Sequence, residues 1–270
     1  MGIVGPLVNL NLMRHFFSSL LAHPITKGMD TDDPRTTELR LRIVQSKPFL
    51  RKIYDEWYGM IQSRIPAGEG GILELGSGAG YLNRLIPRLI RSEVFLCHNV
   101  DLVADARRLP FTARSLKAIV MTDVFHHIPD VDAFLCEAVR CLRPGGRIVM
   151  IEPWVTTWAE FVFGRLHHEP FLPRAEEWRI PPAGPLSGAN GALPWIVLVR
   201  DRGRFLAQFP AFRIEEIRPI MPFSYLVSGG VSLRRLMPGF SYFAWRGLER
   251  ALDPWRDRLA MFAVIGLLRI

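Results

Sequence analysis

The sequence predicts an α/β fold, with a mostly parallel sheet covered by helices on both faces. Three observations carry this expectation. Short apolar runs alternate with helix-period stretches between residues 70 and 153, a glycine-rich turn follows the first run, and Pro/Gly stops separate the units. Seven strands are expected in all: 71–75, 93–97, 101–104, 116–122 and 147–151, then 212–220 and an apolar run at 261–268.

The intervening helices have their own signals. Asp33-Pro34 reads as an N-cap followed by a proline pre-set for the first helical position. After Pro48, residues Phe49, Leu50, Ile53, Tyr54, Trp57, Tyr58 and Ile61 recur every three to four positions and form an aromatic-rich stripe. This helix is expected to pack near the mouth of any cleft, with Tyr54 or Tyr58 in reach of a ligand. Residues 65–71 are a Pro/Gly-rich linker. Leu82, Leu85, Ile86, Leu89 and Ile90 predict a helix over 81–90. Phe134, Leu135, Ala138, Val139 and Leu142 predict one over 131–142, stopped by Pro144-Gly145-Gly146. Further helices are expected at 200–209 and 241–252. The organisation is thus an N-terminal helical cap at 1–69, a core at 70–153, and an insert with closing strands at 154–270.

Composition narrows the class. The chain has 270 residues, 49% hydrophobic and 22% charged, which suits a folded core rather than disorder. Its net charge is +8, yet residues 69–155 carry 10 basic and 10 acidic groups, so the excess lies in the flanks. Basic residues come in doublets such as Arg107-Arg108 and Arg234-Arg235 rather than runs, so no nucleic-acid partner is expected. The three cysteines, Cys97, Cys136 and Cys141, form no metal-type cluster and suit a reducing, cytoplasmic compartment. No metal is expected. A signal peptide is not expected, because no basic region precedes the first apolar residues. The ten-residue run 259–268 is about half of what a spanning helix needs.

The turn reads Glu74-Leu75-Gly76-Ser77-Gly78-Ala79-Gly80-Tyr81. Glycines after a first strand let the backbone approach a ligand and leave amide hydrogens facing it. A dinucleotide fingerprint needs glycine where Tyr81 stands, and Glu74 would repel a pyrophosphate. An acid there suits a ligand carrying a positive charge beside its own carboxylate.

Three more segments follow in order: Val103-Ala104-Asp105-Ala106 with Leu109-Pro110-Phe111; residues 120–128 with Asp123-Val124-Phe125-His126-His127; and residues 142–153 with Pro144-Gly145-Gly146 and Ile151-Glu152-Pro153. With the glycine turn, these resemble the class I S-adenosylmethionine-dependent methyltransferases, especially the subgroup called methyltransferase type 11. The resemblance covers about residues 70–153. It implies a Rossmann-like methyltransferase fold with a large insert after the fifth strand, and S-adenosyl-L-methionine as cofactor. Gly76, Ser77, Gly78 and Gly80 would cradle the methionine moiety, with Glu74 near its ammonium group. Asp105, Ala106 and Leu109 would meet adenine, and Asp123 and Val124 would line the methyl region. The family's ribose-holding acid at the end of the second strand falls within Cys97-His98-Asn99 on this reading, with Asn99 or Asp101 as substitutes.

Methyl transfer mostly requires alignment, and a base only where the acceptor must lose a proton. His126 and His127 follow the fourth strand and are candidates for that role or for positioning the acceptor, the alternative being a turn-capping histidine. His167 and His168, before Glu169, lie in the insert, which could fold over the cleft. Trp154, Trp158, Phe161, Phe163, Trp178 and Trp195 suggest an apolar acceptor pocket. The expected function is methyl transfer to O, N or C of a small, lipophilic metabolite. The alternatives are a membrane-surface enzyme acting on a lipid or lipid-linked sugar, with peripheral membrane contact, and a methyltransferase-fold protein with a non-methylating role.

Overall fold

The computed structural model describes residues 23, 29–167, 169–180, 184 and 186–270. Two helices lead in, α1 (Pro34–Ser46) and α2 (Pro48–Gln62). The Asp33 carboxylate caps α1 by accepting from Arg35 N–H. All seven stripe residues of α2 are buried.

A seven-stranded sheet follows, in the order β3-β2-β1-β4-β5-β7-β6. Its members are β1 (Gly71–Leu75), β2 (Leu89–Glu93), β3 (Leu102–Val103), β4 (Leu116–Thr122), β5 (Leu142–Pro153), β6 (Phe212–Ile220) and β7 (Phe262–Arg269). The first five run parallel. β7 is antiparallel to both of its neighbours, β5 and β6. Alternate residues feed two separate cores, as period-two side chains require. Leu73, Ile119, Met121, Ile148, Met150 and Ile265 face one, against α3 (Val131–Cys141) and the insert. Ile72, Val120, Val149, Ile151 and Val264 face the other, against α2 and α4 (Thr157–Leu166). The sheet is therefore covered on both sides, as the continuous apolar runs implied.

The region after the glycine turn departs from expectation. No helix forms over 81–90; a single 3-10 turn, Leu82–Arg84, stands in its place. Pro87 explains this, because the residue before proline is driven out of the helical region, and Arg88 then takes a φ of +61°. Leu89 and Ile90 consequently pair with Ile72 and Leu73 as β2. The strand expected at 93–97 thus ends where it was to begin, at Glu93. The remaining expectations differ at their edges: β3 shrinks to two residues, β5 extends back through Pro144-Gly145-Gly146, and the helices expected at 200–209 and 241–252 are α5 (Arg202–Gln208) and α6 (Tyr242–Ala251). No helix among the described residues is long and apolar enough to cross a membrane.

α3 starts at Asp130, whose side chain accepts from Ala133 N–H at 3.0 Å. Replacing Asp130 with Ala should cost about 1 kcal/mol and lower the melting temperature by roughly 2–4 °C. Differential scanning calorimetry reads this directly, and an unchanged midpoint would show that the cap contributes nothing.

Candidate functional site

A cleft opens at the carboxyl ends of β1, β2 and β4. It has two lobes, enclosing about 1090 Å³ and about 990 Å³ of open space. Gly76, Glu93, Val124, His127 and Leu186 line both lobes, so the two are one continuous groove.

The glycine turn forms the floor. Gly76 has a φ of +65°, and a Cβ there would sit 2.4 Å from Val124 Cγ2. A Cβ on Gly78 would fall 2.2 Å from Thr37 Cγ2 and 2.8 Å from Glu93 Oε2. Both positions need glycine for space, the first also for conformation. Gly76, Gly78 and Ala79 face the cleft. Ser77 and Gly80 do not: Ser77 N–H bonds Ser92 O at 2.9 Å, and Gly80 packs beside the Tyr58 hydroxyl. They support the loop.

Glu74 lies buried beneath the same turn without lining the cleft. Burial pushes its carboxyl up to about 7, with a Ser77 hydrogen bond and Arg91 opposing and Glu93 adding. The acid that does reach the cleft is Glu93, the last residue of β2. Its Oε2 accepts from Gly78 N–H at 3.2 Å. This corrects the reading of Asn99 and Asp101. Asn99 is exposed, and Asp101 is bound to the Arg91 backbone N–H and guanidinium at 2.8–3.1 Å. Neither faces the groove. The early end of β2 places the acid four to six residues upstream of the 97–99 position expected for it.

Asp105 and Ala106 line the second lobe. Arg107 clasps the Asp105 carboxylate at 2.7–3.0 Å and holds it below the usual range. Leu109 is a core residue instead, its N–H bound to Glu137 and its side chain buried under the sheet. Helix α1 roofs the first lobe with Thr37 and Arg40, neither of which the sequence reading singled out. Tyr54 lines the cleft, while Tyr58 stands behind the glycine turn.

The turn after β4 carries the densest chemistry. Asp123 lies in the left-handed region at φ +64°, and its N–H bonds Ile151 O at 2.8 Å. Burial pushes its carboxyl up to about 7, Glu169 and Glu152 adding and His126 opposing. Glu152, fully buried at the end of β5, accepts from Val124 N–H and Phe125 N–H at 2.9 and 2.8 Å through one oxygen. Its other oxygen meets His126 Nδ1 at 2.7 Å.

His126 is therefore not a free base. It is buried between two carboxylates, with Nε2 3.6 Å from Glu169 Oε2. Burial opposes its charge, but the bond to Glu152 and the carboxylate of Glu169 nearby outweigh this and raise its pKa well above the usual range. His127 behaves oppositely. Its Nδ1 meets the Gly188 carbonyl oxygen at 2.9 Å, and its ring lines both lobes. Burial and the neighbouring His126 push it down to about 4. A carbonyl can only accept, so the Nδ1 of His127 carries the hydrogen and Nε2 presents a lone pair.

His167 and Glu169 line the first lobe, whereas His168 lies outside the described residues. The insert does close over the cleft. Asp32, just before α1, accepts from Leu186 and Ser187 N–H at 2.6 and 2.9 Å and tethers that loop. The tryptophans are not its lining: Trp154 and Trp178 are core, and the rings at the first lobe are Tyr54, Phe163, Phe171, Tyr225 and Phe262.

This order of strands, with a glycine turn after β1, an acid ending β2 and a polar turn after β4, is matched by sequence. Residues 73–150 fit the family model described as "Methyltransferase domain". These residues form a methyltransferase domain. A demethylmenaquinone methyltransferase of Tropheryma whipplei is 30% identical over 104 residues, 33% of this chain and 43% of that protein. Phthiotriol/phenolphthiotriol dimycocerosates methyltransferase 1 of Mycobacterium ulcerans is 36% identical over 88 residues, 27% of this chain and 32% of its own. The chain thus spans less than half the length of these curated relatives. Among solved structures, a geranyl diphosphate C-methyltransferase from Streptomyces coelicolor aligns over 99% of this chain and 100% of its own, at 13% identity and a TM-score of 0.47.

Glu74 gives the methyltransferase domain a pH signature. A carboxyl raised to about 7 from its ordinary 4.5 leaves stability intact below 4.5 and removes it as pH rises through 7. The full loss is roughly 3 kcal/mol at about 1.36 kcal/mol per pH unit. Glu74→Gln should therefore melt above the parent at pH 8 and match it at pH 4. Melting curves that stay parallel across that range would refute the assignment.

Proposed function

We propose that this chain binds S-adenosyl-L-methionine along the groove and methylates O, N or C of a small, lipophilic acceptor. The observation that carries the reading is that Gly76, Gly78, Glu93 and Asp123, from three different strand ends, meet in one cleft. The groove fits the cofactor on its own terms. Thr37 Oγ1 and Thr122 Oγ1 are buried at its wall without hydrogen-bond partners, as expected where a polar ligand completes them. Glu93 would hold the ribose hydroxyls, Asp105 and Ala106 would meet adenine, and the Gly76–Gly78 backbone would face the methionine moiety. Arg40 supplies a cation at the roof for its carboxylate.

When bound, the cofactor supplies a methyl group from its sulfonium. The chain's own contribution is alignment and exclusion of water. Phe163, Phe171, Tyr225 and Phe262 wall the lobe beyond Asp123 with rings, which suits an apolar acceptor. His127 and Glu169 stand at that wall as the polar groups that meet the acceptor's reacting atom.

Calorimetry on the purified chain tests this. S-adenosyl-L-methionine or its demethylated product should bind saturably, Glu93→Ala should weaken binding about 10- to 100-fold, and Gly78→Arg should abolish it. Absence of binding by the parent chain at high micromolar cofactor would sink the reading.

One observation supports an acceptor drawn from a membrane surface. On α6, Arg246 turns inward to Glu56 and Glu249 beside the buried Tyr242, while Phe243, Leu248 and the preceding Phe240 face out. Phe240 is 84% and Phe243 69% exposed, and Trp255 follows at 53%. Arg235, Arg250 and Arg258 flank these groups, a pairing that suits an anionic lipid surface. Tyr225 and Val231, which line the cleft, lie just upstream. The chain should float with phosphatidylglycerol-containing vesicles and not with phosphatidylcholine alone, and a Phe240→Ser/Phe243→Ser variant should stay in solution. Equal flotation of parent and variant would remove this second reading.

A further inference from the structure

We infer that His126, His127 and Glu169 form a binding site for one divalent metal ion of the zinc type, placed at the acceptor side of the cleft. One donor atom from each of the three lies within 4.8 Å of the others. They converge because Phe125–His127 is a 3-10 turn, not a strand, so that adjacent imidazoles share a side, their centroids 4.2 Å apart.

The decisive atom is His126 Nε2. It belongs to a fully buried side chain, has no hydrogen-bond partner, and points at Glu169. Its 3.6 Å separation from Glu169 Oε2 is too long for a hydrogen bond. Two ligands on one tetrahedral zinc, each about 2.1 Å from it, stand about 3.4 Å apart. The spacing therefore suits a shared cation, which on binding would displace to solvent the proton that His126 otherwise carries.

The surroundings have the form of a metal shell. A ligating histidine ordinarily gives its other ring nitrogen to a carboxylate or carbonyl, which fixes the ring and directs the free nitrogen at the ion. His126 Nδ1 is held by Glu152 and His127 Nδ1 by the Gly188 carbonyl. Charge points the same way. Glu152, Glu169 and Asp123 gather around the two imidazoles, and a divalent ion moves that set toward neutrality. Two nitrogens and one carboxylate oxygen match catalytic rather than structural zinc sites, which keep a fourth position open. His127 and Glu169, two of the three ligands, line the lobe that would hold the acceptor in the methyl-transfer reading, on which this role rests. An acceptor oxygen bound there would ionise at lower pH, as any ligand oxygen does on such an ion.

The test uses the full chain, stripped with a chelator and free of any histidine tag, titrated with zinc chloride alone in a calorimeter. One ion per chain should bind with micromolar or tighter affinity, and cobalt chloride should give the visible bands of a tetrahedral site. Glu169→Gln, at a partly exposed position that leaves the fold intact, should weaken binding at least tenfold, as should His127→Asn. A thermal melt of each variant separates loss of the site from loss of the fold. No saturable binding, or equal binding by the parent and a folded Glu169→Gln, overturns the proposal; so does magnesium binding as tightly as zinc, which would exclude nitrogen ligands. Cofactor calorimetry on the stripped protein is read separately, so methyl-donor binding and metal binding fail independently.

Discussion

Glu152 is the interaction on which the cleft depends. A carboxylate with no exposure at the end of a central strand is costly unless its oxygens are fully engaged. Here one oxygen takes two backbone amides, Val124 and Phe125, and the other takes the His126 ring. Those three bonds bend the chain sharply as it leaves β4. Asp123 is held at positive φ by this bend and by its own bond to Ile151, and so presents its carboxyl to the groove. Val124 is drawn over the glycine turn, where it leaves no space for a side chain at Gly76. The same bend directs His127 into both lobes. Without the Glu152 carboxylate these amides and the His126 ring would lose their shared partner, and every one of these positions would loosen together.

The floor and roof of the groove constrain each other through close approach. Gly78 lies against Thr37 of α1 and Glu93 of β2, so the N-terminal helix is seated on the loop itself. The segment before α1 reaches further, and Asp32 ties it to the amides of Leu186 and Ser187. The loop tied in this way carries the Gly188 carbonyl that fixes the His127 tautomer. Cap, insert and the turn after β4 are thus linked by three short contacts. A displacement of α1 would be felt at His127 through Asp32 and the 186–188 loop, with no rearrangement of the sheet.

Much of this was legible in the sequence, and the failures have physical causes. The glycine turn, β4 and the helix at α3 were readable because local spacing alone dictates them. β2 was not, since Leu82, Leu85, Ile86, Leu89 and Ile90 satisfy a helical stripe equally well. Pro87 decided against the helix, and attention to it would have moved the strand to 89–93 and identified Glu93. Glu152 gave a different problem. It follows an apolar strand and reads locally as the strand's polar end, while its partners lie 26–28 residues away. Glu169 and Arg40 share that difficulty: their meaning is set by the tertiary packing of the insert and of α1 over the cleft. The tryptophans misled because bulk suits core and pocket alike.

α6 shows how burial of charge can free a surface. Arg246 is enclosed by Glu56 and Glu249, and Glu249 also accepts from the N–H groups of Phe223 and Ser224. Such a network orients a helix well but adds little net stability, because desolvation offsets most of the attraction. A helix held by apolar packing must turn its apolar residues inward and cannot offer them elsewhere. α6 divides its apolar residues, with Tyr242 and Trp245 packing inward beside the ion pair and Phe243 and Leu248 turning out. Phe243 touches Tyr242 and the Lys52 ammonium, yet it and Leu248 leave apolar surface exposed. Glu249 links this helix through the amides of Phe223 and Ser224 to the segment whose Tyr225 walls the first lobe, so the outward face and the cleft are held by one carboxylate.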